Sequence, residues 1–442
     1  MSREVSRRQF IAATTAAGVG LALARTASAA DKPAVLGGKP VRTKGYPSWP
    51  MVKDADEKAV SEVVSSGRWY RGKMVDRFEE TFAKLSGAKY CLATSSGTSA
   101  LYTSLGALGV GPGDEVIVPP YTFVATVNVA LLQYAMPVFV DSDRESFQMD
   151  PAKLEAAITE RTAAIIPVHI GGAPADLDRI LAIAKKRNVP VIEDACQAVL
   201  GQWRGRGLGS WGVSGCISFQ LSKNVSSGEG GAILTNDDAM ANNCYAFHNC
   251  CRKRPGSSAN LSYRGGRSSN LRMTELQGAL LLSQLEGAEE RANTRHENGT
   301  YLSSMLREIP GVVPAKVYEG CTRNAHHLYM FRYQPEQFFN LPRNSFVKAL
   351  RAEGIPCATG YSPLNKAEYI QDALKSRPYQ KVYGKEAIDK WLDRNQCPEN
   401  DKLCEEALWF MQNMLLGPRS DMDEIAAAIR KIRTYAAELA KA

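Results

Sequence analysis

The sequence predicts an α/β protein: a large domain with a mostly parallel, seven-stranded sheet between helices, then a smaller α+β C-terminal domain. Three observations predict it. Seven short, near-continuous apolar runs alternate with helical patterns between residues 89 and 235, as strands buried on both faces do. The alternation then stops, and a long helical stretch at 273–306 leads into a segment of mixed character. At 442 residues, with 44% hydrophobic and 23% charged side chains, the chain can bury more than one core.

Residues 1–29 read as a twin-arginine export signal. Ser6-Arg7-Arg8-Gln9-Phe10-Ile11 precedes an uncharged, alanine-rich run to Ala24, and Ala27-Ser28-Ala29 is a small-x-small cleavage pattern. That run is short of the ~20 residues that span a bilayer. The expected location is therefore periplasmic or extracellular, with membrane anchoring if the signal is retained. Of the formal charge of +8, the signal carries +3, so the remainder is mildly basic. Arg252-Lys253-Arg254 is too short a cluster to argue for nucleic acid.

The large domain is expected over 30–290. It opens with an extended strap at 31–50, interrupted by prolines and glycines, and two amphipathic helices at 54–65 and 76–85. Strands follow at 89–93, 115–118, 137–140, 164–168, 189–193, 216–219 and 232–235, with helices at 99–108, 123–134, 151–159 and 176–187. Asp150-Pro151 supplies a helix N-cap and a proline at the first helical position. The 273–306 stretch, kinked or broken, links to a small domain over 291–442. That domain has an extended segment at 327–333, a helix at 345–353, a poorly patterned insertion at 366–401 and a final helix at 423–440.

Ligands of such sheets sit beyond the carboxyl ends of the strands, so the loops there carry the chemistry. Thr94-Ser95-Ser96-Gly97-Thr98-Ser99 offers hydroxyls and free N–H groups at a helix start, an anion site suited to phosphate. Pro119-Pro120-Tyr121-Thr122-Phe123 offers an aromatic face. Glu193-Asp194-Ala195-Cys196-Gln197 ends a buried strand in carboxylates, which need a cationic partner such as a protonated ring nitrogen. Ser218 closes another strand, and Lys223 follows on a glycine-dense loop where an amine can form an imine with an aldehyde cofactor. Each loop alone reads equally as a serine N-cap, a core phenylalanine or a solvated lysine. Together they describe pyridoxal 5′-phosphate better than a nucleotide: neither G-x-G-x-x-G after the first strand nor a P-loop is present, and the five histidines lack metal-ligand spacing.

Several runs resemble one family. They are Ser96–Leu101 (SGTSAL), Gly111–Val116 (GPGDEV), Tyr121–Thr126 (YTFVAT), Glu193-Asp194-Ala195, Gly228-Glu229-Gly230-Gly231-Ala232 and Asn270–Gln277 (NLRMTELQ). They resemble the DegT/DnrJ/EryC1/StrS sugar and cyclitol aminotransferases, of the type I fold of PLP-dependent transferases, from about Val35 to the C-terminus. The resemblance implies that Lys223 forms the internal aldimine and shuttles a proton, and that Asp194 pairs with the pyridinium nitrogen. It implies that Phe123 stacks on the ring, Gln197 lies against its 3′-oxygen, and Gly97, Thr98 and Ser218 hold the phosphate. Asn270 is expected to reach the phosphate of a neighbouring subunit, since family members build each site across a homodimer interface. His327 matches a position facing substrate.

Gln220, in Ser-Phe-Gln-x-x-Lys, resembles members that aminate inosose-type cyclitol ketones with glutamine as donor. The expected reaction moves an amino group from glutamate or glutamine to a keto-sugar or cyclitol ketone. Two alternatives stay open: another PLP reaction such as dehydration or elimination, and an exported binding protein that keeps the pocket without turnover. Cys397 and Cys404 flank a polar loop, and the sequence favours neither a disulfide nor two thiols there.

Overall fold

The computed structural model describes residues 32–257 and 267–441, so the export pattern at 1–29 lies outside the described residues. The seven expected strands form at Tyr90–Thr94 (β1), Glu115–Val118 (β2), Met136–Phe139 (β3), Thr162–Ile165 (β4), Ile192–Asp194 (β5), Ser214–Ser218 (β6) and Gly231–Thr235 (β7). Their order across the sheet is β3-β2-β4-β5-β6-β7-β1, with β4 and β5 joined through single bridges at Ile165–Val191 and Val168–Asp194. Every neighbour pair is parallel except the two that involve β7. Six carboxyl ends, those of β1 to β6, therefore open on one side, at Thr94, Val118, Phe139, Ile165, Asp194 and Ser218.

Side-chain alternation divides the strands between two helical layers. Leu92, Val116, Val118, Cys216 and Ile233 face one core, built with the helices Gly97–Ala107 (α3), Ala125–Leu132 (α4) and Asp238–His248 (α7). Ala93, Ile117, Ile217, Ala232 and Leu234 face the other. Helices at Lys73–Ser86 (α2), Pro151–Ala157 (α5), Leu177–Arg187 (α6) and Glu275–Leu285 (α8) cover that side, after a first helix at Asp54–Ser66 (α1). Burial on both sides explains why the strand residues read as unbroken apolar runs.

The expected break in the 273–306 stretch falls at Gly287, whose φ of +71° separates α8 from Ala288–Leu306 (α9). A left-handed residue there stops one helix and redirects the next at no steric cost to glycine. Beyond it, strands Val312–Pro314, Leu328–Tyr333, Ala407–Met411 and Ala358–Thr359 form a second, antiparallel sheet in that order. Helices Arg343–Ala352 (α10) and Arg419–Thr434 cover it around Tyr329, Phe331, Phe410, Ile425 and Ile429.

Two segments run elsewhere than the sequence suggests. The strap, read as part of the large domain, packs Leu36, Val41 and Tyr46 on the second core. Its Ala34 and Val41 N–H groups satisfy the buried Glu353 carboxylate at 2.7 and 2.8 Å, and Arg42 pairs with Asp421 at 3.1 Å and with Glu424. Residues 366–401, read as poorly patterned, fold into short helices at Glu368–Leu374, Arg377–Tyr383, Lys385–Asp389 and Trp391–Arg394. They dock Ile370, Tyr379 and Trp391 on the large domain beside Met136 and Phe139.

These helices also finish the sheet. Asn395 Oδ1 accepts from Phe139 N at 2.7 Å on edge strand β3. At the opposite edge, Glu79 Oε1 accepts from Ala93 N of β1 at 2.8 Å. Cys397 and Cys404 are separate, buried thiols.

Candidate active site

The carboxyl ends of the strands and the small domain enclose a cavity of about 550 Å³. Of the ten residues predicted for the site, nine line it: Gly97, Thr98, Phe123, Asp194, Gln197, Ser218, Gln220, Lys223 and His327. Asn270 does not. It is exposed outside the cavity and bridges to Asn249.

The phosphate end is built by the start of α3. Ser96 caps the helix by accepting from Ser99 N at 3.0 Å, which leaves the first-turn N–H groups facing the cavity mouth. Gly97 packs so closely that an added Cβ would stand 2.7 Å from Cys196 Sγ and 2.8 Å from Ser218 Cβ. Only the absence of a side chain lets this turn approach β6, and that approach makes the cradle.

Asp194 ends β5 with its carboxylate buried. Thr126 Oγ1 donates to Asp194 Oδ2 at 2.8 Å, and Cys196 N donates to Oδ1 at 3.1 Å. The neighbouring Glu193 points to the opposite side of the strand. It accepts from Gly209, Trp211 and Gly212 N–H groups at 2.6 to 2.9 Å and meets His169 Nε2 at 3.0 Å. His169 Nδ1 accepts from Ala175 N at 3.1 Å, so Nε2 carries the proton and donates to Glu193. Burial pushes the Glu193 carboxyl up, but His169 and the backbone donors outweigh it and hold it below its usual range. The strand thus ends in one carboxylate fully used by the scaffold and one aimed into the cavity.

Lys223 is half-buried, and no described residue forms an ion pair with it. Burial lowers its amine below the ordinary lysine value, while Asp194 opposes the shift. A lysine so shifted is a better nucleophile and base at neutral pH. Its loop is anchored by Trp49, whose indole N–H reaches both Leu221 O and Lys223 O at 3.1 Å.

Gln197 Nε2 donates to Tyr361 OH at 2.9 Å, and its Oε1 accepts from Gly171 N at 2.8 Å. His327 is buried, and its Nδ1 has no hydrogen-bond partner among the described residues. Burial first, then Lys223 and Arg295, push His327 well below its ordinary value, so the ring is neutral. Gln220 Oε1 instead turns back to Ser222 N and Oγ at 2.9 and 2.8 Å. Phe123 is 55% exposed and presents its ring at the cavity.

The sequence reading missed Thr126, Tyr361, Trp409 and Met411, which also line the cavity. Thr126 lies in the same turn as Phe123, three residues on, a helical spacing that could have flagged it. The other three come from the small domain, and only tertiary packing brings them here.

The set fits pyridoxal 5′-phosphate. It supplies a close backbone cradle at a helix start, a buried carboxylate for a ring N–H, an aromatic face and a lysine with a lowered pKa. Residues 50–430 match the DegT/DnrJ/EryC1/StrS aminotransferase family, and the chain belongs to it. It is therefore a PLP-dependent aminotransferase with the type I fold. It is 36% identical over 420 residues to the L-glutamine:2-deoxy-scyllo-inosose aminotransferase of Streptomyces lividus, covering 92% of this chain and 98% of that one. It is 34% identical over 422 residues to the L-glutamine:scyllo-inosose aminotransferase of Streptomyces griseus, covering 92% and 99%. Among solved structures it resembles 3-amino-5-hydroxybenzoic acid synthase, with a TM-score of 0.77 and 31% identity over 91% of this chain and all of that one.

Proposed function

We propose that this aminotransferase takes an amino group from L-glutamine, with L-glutamate as the alternative donor, and delivers it to the ketone of a cyclitol or related sugar. The observation that carries this reading is the meeting of Lys223, Asp194 and the Gly97 cradle in one cavity. The relatives named for inosose substrates support the acceptor class. So does the lining: Gln197, Gln220, Ser222 and Tyr361 offer hydrogen bonds, and Lys223 is the one cation among the described lining residues. Such a surface suits a neutral polyol.

When bound, the cofactor supplies an electron-withdrawing ring that stabilises negative charge at the amino-bearing carbon. Asp194, fixed by Thr126 and the Cys196 N–H, keeps the ring nitrogen protonated. Lys223 Nζ would take a proton from the donor's amino-bearing carbon in the first half-reaction and deliver one to the acceptor's former carbonyl carbon in the second, and its lowered pKa suits both directions. Neutral His327 offers Nδ1 to a substrate hydroxyl.

Two further readings belong to the proposal. Ser6-Arg7-Arg8 and Ala27-Ser28-Ala29 support twin-arginine export to the periplasm or beyond. The exposure of Asn270 leaves it available to a second copy, in line with a homodimer that shares its sites. Replacing Arg7 and Arg8 by Lys should keep the protein inside the cell, and light scattering should give twice the mass of the chain.

The test of the central reaction is spectroscopic. Purified protein loaded with cofactor should show a visible band that bleaches on adding L-glutamine and returns on adding an inosose. Lys223→Ala should lose both changes while its folded far-ultraviolet spectrum persists. A band in wild type that ignores both donors would overturn the reading.

A further inference from the structure

Arg295 lies on α9 and is 1% exposed, yet it forms no ion pair among the described residues. Its Nε donates to Gln412 Oε1 at 2.7 Å, and its Nη2 has no partner. Its charge is met instead by the Trp49 ring, whose centroid lies 5.1 Å from the guanidinium carbon. A buried cation without a carboxylate is costly, and hydrogen bonds alone offset that poorly. Facing an indole, the cation recovers part of the cost and fixes the ring. The edge of the indole bears on the catalytic loop, since its N–H is shared by the carbonyls of Leu221 and Lys223. The strap just before Trp49 is held too, with Asn413 Nδ2 donating to Pro47 O at 2.8 Å. Gln412 and Asn413 are neighbours, following strand Ala407–Met411 of the small domain.

We propose that Arg295 and Trp49 form a clamp that positions Lys223. The small domain holds Arg295 through Gln412, Arg295 holds the indole, and the indole N–H sets the backbone from which the lysine reaches into the cavity. Both are positioning residues: neither lines the cavity. The inference rests on the proposed role of Lys223, and it concerns a link that the role itself does not require.

The test compares Trp49→Phe, Arg295→Met, Arg295→Lys and the double variant Trp49→Phe/Arg295→Met in the full-length, cofactor-loaded enzyme. A lysine misplaced by an ångström costs up to about 100-fold. We expect kcat to fall about 10-fold or more in Trp49→Phe and Arg295→Met, with KM for donor and acceptor little changed. Arg295→Lys, which keeps a cation over the ring, should recover most of the rate. The double variant should be no worse than Trp49→Phe alone, because Arg295 acts through the indole. Independently of turnover, labelling of Lys223 by an amine-reactive reagent after cofactor removal, read from the mass of its peptide, should change several-fold in the same variants. Additive losses in the double variant, or unchanged kcat and labelling in folded Arg295→Met, would overturn the clamp. Wild type that never bleaches with a donor would instead overturn the transamination, and the labelling comparison would still decide the clamp.

Discussion

Thr126 gives its hydroxyl proton to Asp194 at 2.8 Å, across 68 residues of chain. The first turn of α4 and the end of β5 meet here, so the carboxylate is oriented before any ligand arrives. Thr126→Val keeps the volume and removes the donor. A lost hydrogen bond to a buried charge costs about 1.5–3 kcal/mol. Cofactor affinity should therefore weaken by about tenfold or more, as measured by titration of the cofactor-free protein. Affinity equal to wild type would mean the Cys196 N–H alone suffices.

Gly97→Ala should be more severe. Its methyl would meet Cys196 Sγ and Ser218 Cβ inside van der Waals contact, and β6 cannot retreat because both its neighbours are paired to it. We expect a loss of about 1–3 kcal/mol in stability from overpacking, seen by calorimetry, and loss of cofactor binding. A variant that binds the cofactor normally would remove the close approach from the argument.

What could be read from the sequence follows from how each feature is encoded. Asp194 and Ser218 end apolar strand runs and Lys223 lies on the loop five residues beyond Ser218, so the strand pattern alone puts them at one side of the sheet. Tyr361 and Trp409 come from short strand and loop segments of the small domain, whose approach is fixed by packing and leaves no local pattern. The 366–401 helices were opaque for a related reason. Each is four to seven residues long, too short to show an apolar face at a 3.6-residue period. Glu193 and Asp194 look alike as adjacent carboxylates, and only the period of two in a strand sends them to different sides.

The contact of Trp391 with the large domain is testable. It is 3% exposed, packs on Phe139, and donates its indole N–H to Pro137 O at 2.7 Å. Trp391→Ala should cost about 3–5 kcal/mol, measured by urea unfolding. Unfolding within about 1 kcal/mol of wild type would show that these helices attach by other contacts.

His248 gives a pH signature. Its Nδ1 donates to Tyr245 O at 2.7 Å, and burial pushes its value down to about 4. In the unfolded chain it protonates near 6.5. From pH 6.5 down to 4 the unfolded state holds the extra proton, so this contribution to stability is present above 6.5 and lost as pH falls. Glu79 runs the other way, since burial pushes it up to about 7 against Arg71. The clean comparison is wild type against His248→Gln, in which the slope of unfolding free energy between pH 5 and 6 should be shallower by up to about 1.4 kcal/mol per unit. Parallel slopes would place the His248 proton elsewhere.

The Asn395 and Glu79 side chains have a consequence beyond the fold they complete. An exposed sheet edge is a template on which a strand from another molecule can add. Here an amide on each outermost strand, Phe139 N and Ala93 N, is already taken by a side chain from a covering helix. The ladder is end-capped at both sides, much as a polymer is closed by a chain terminator. Strand addition at either edge is disfavoured in the folded state. A strand arriving at either edge would first have to displace one of these side chains.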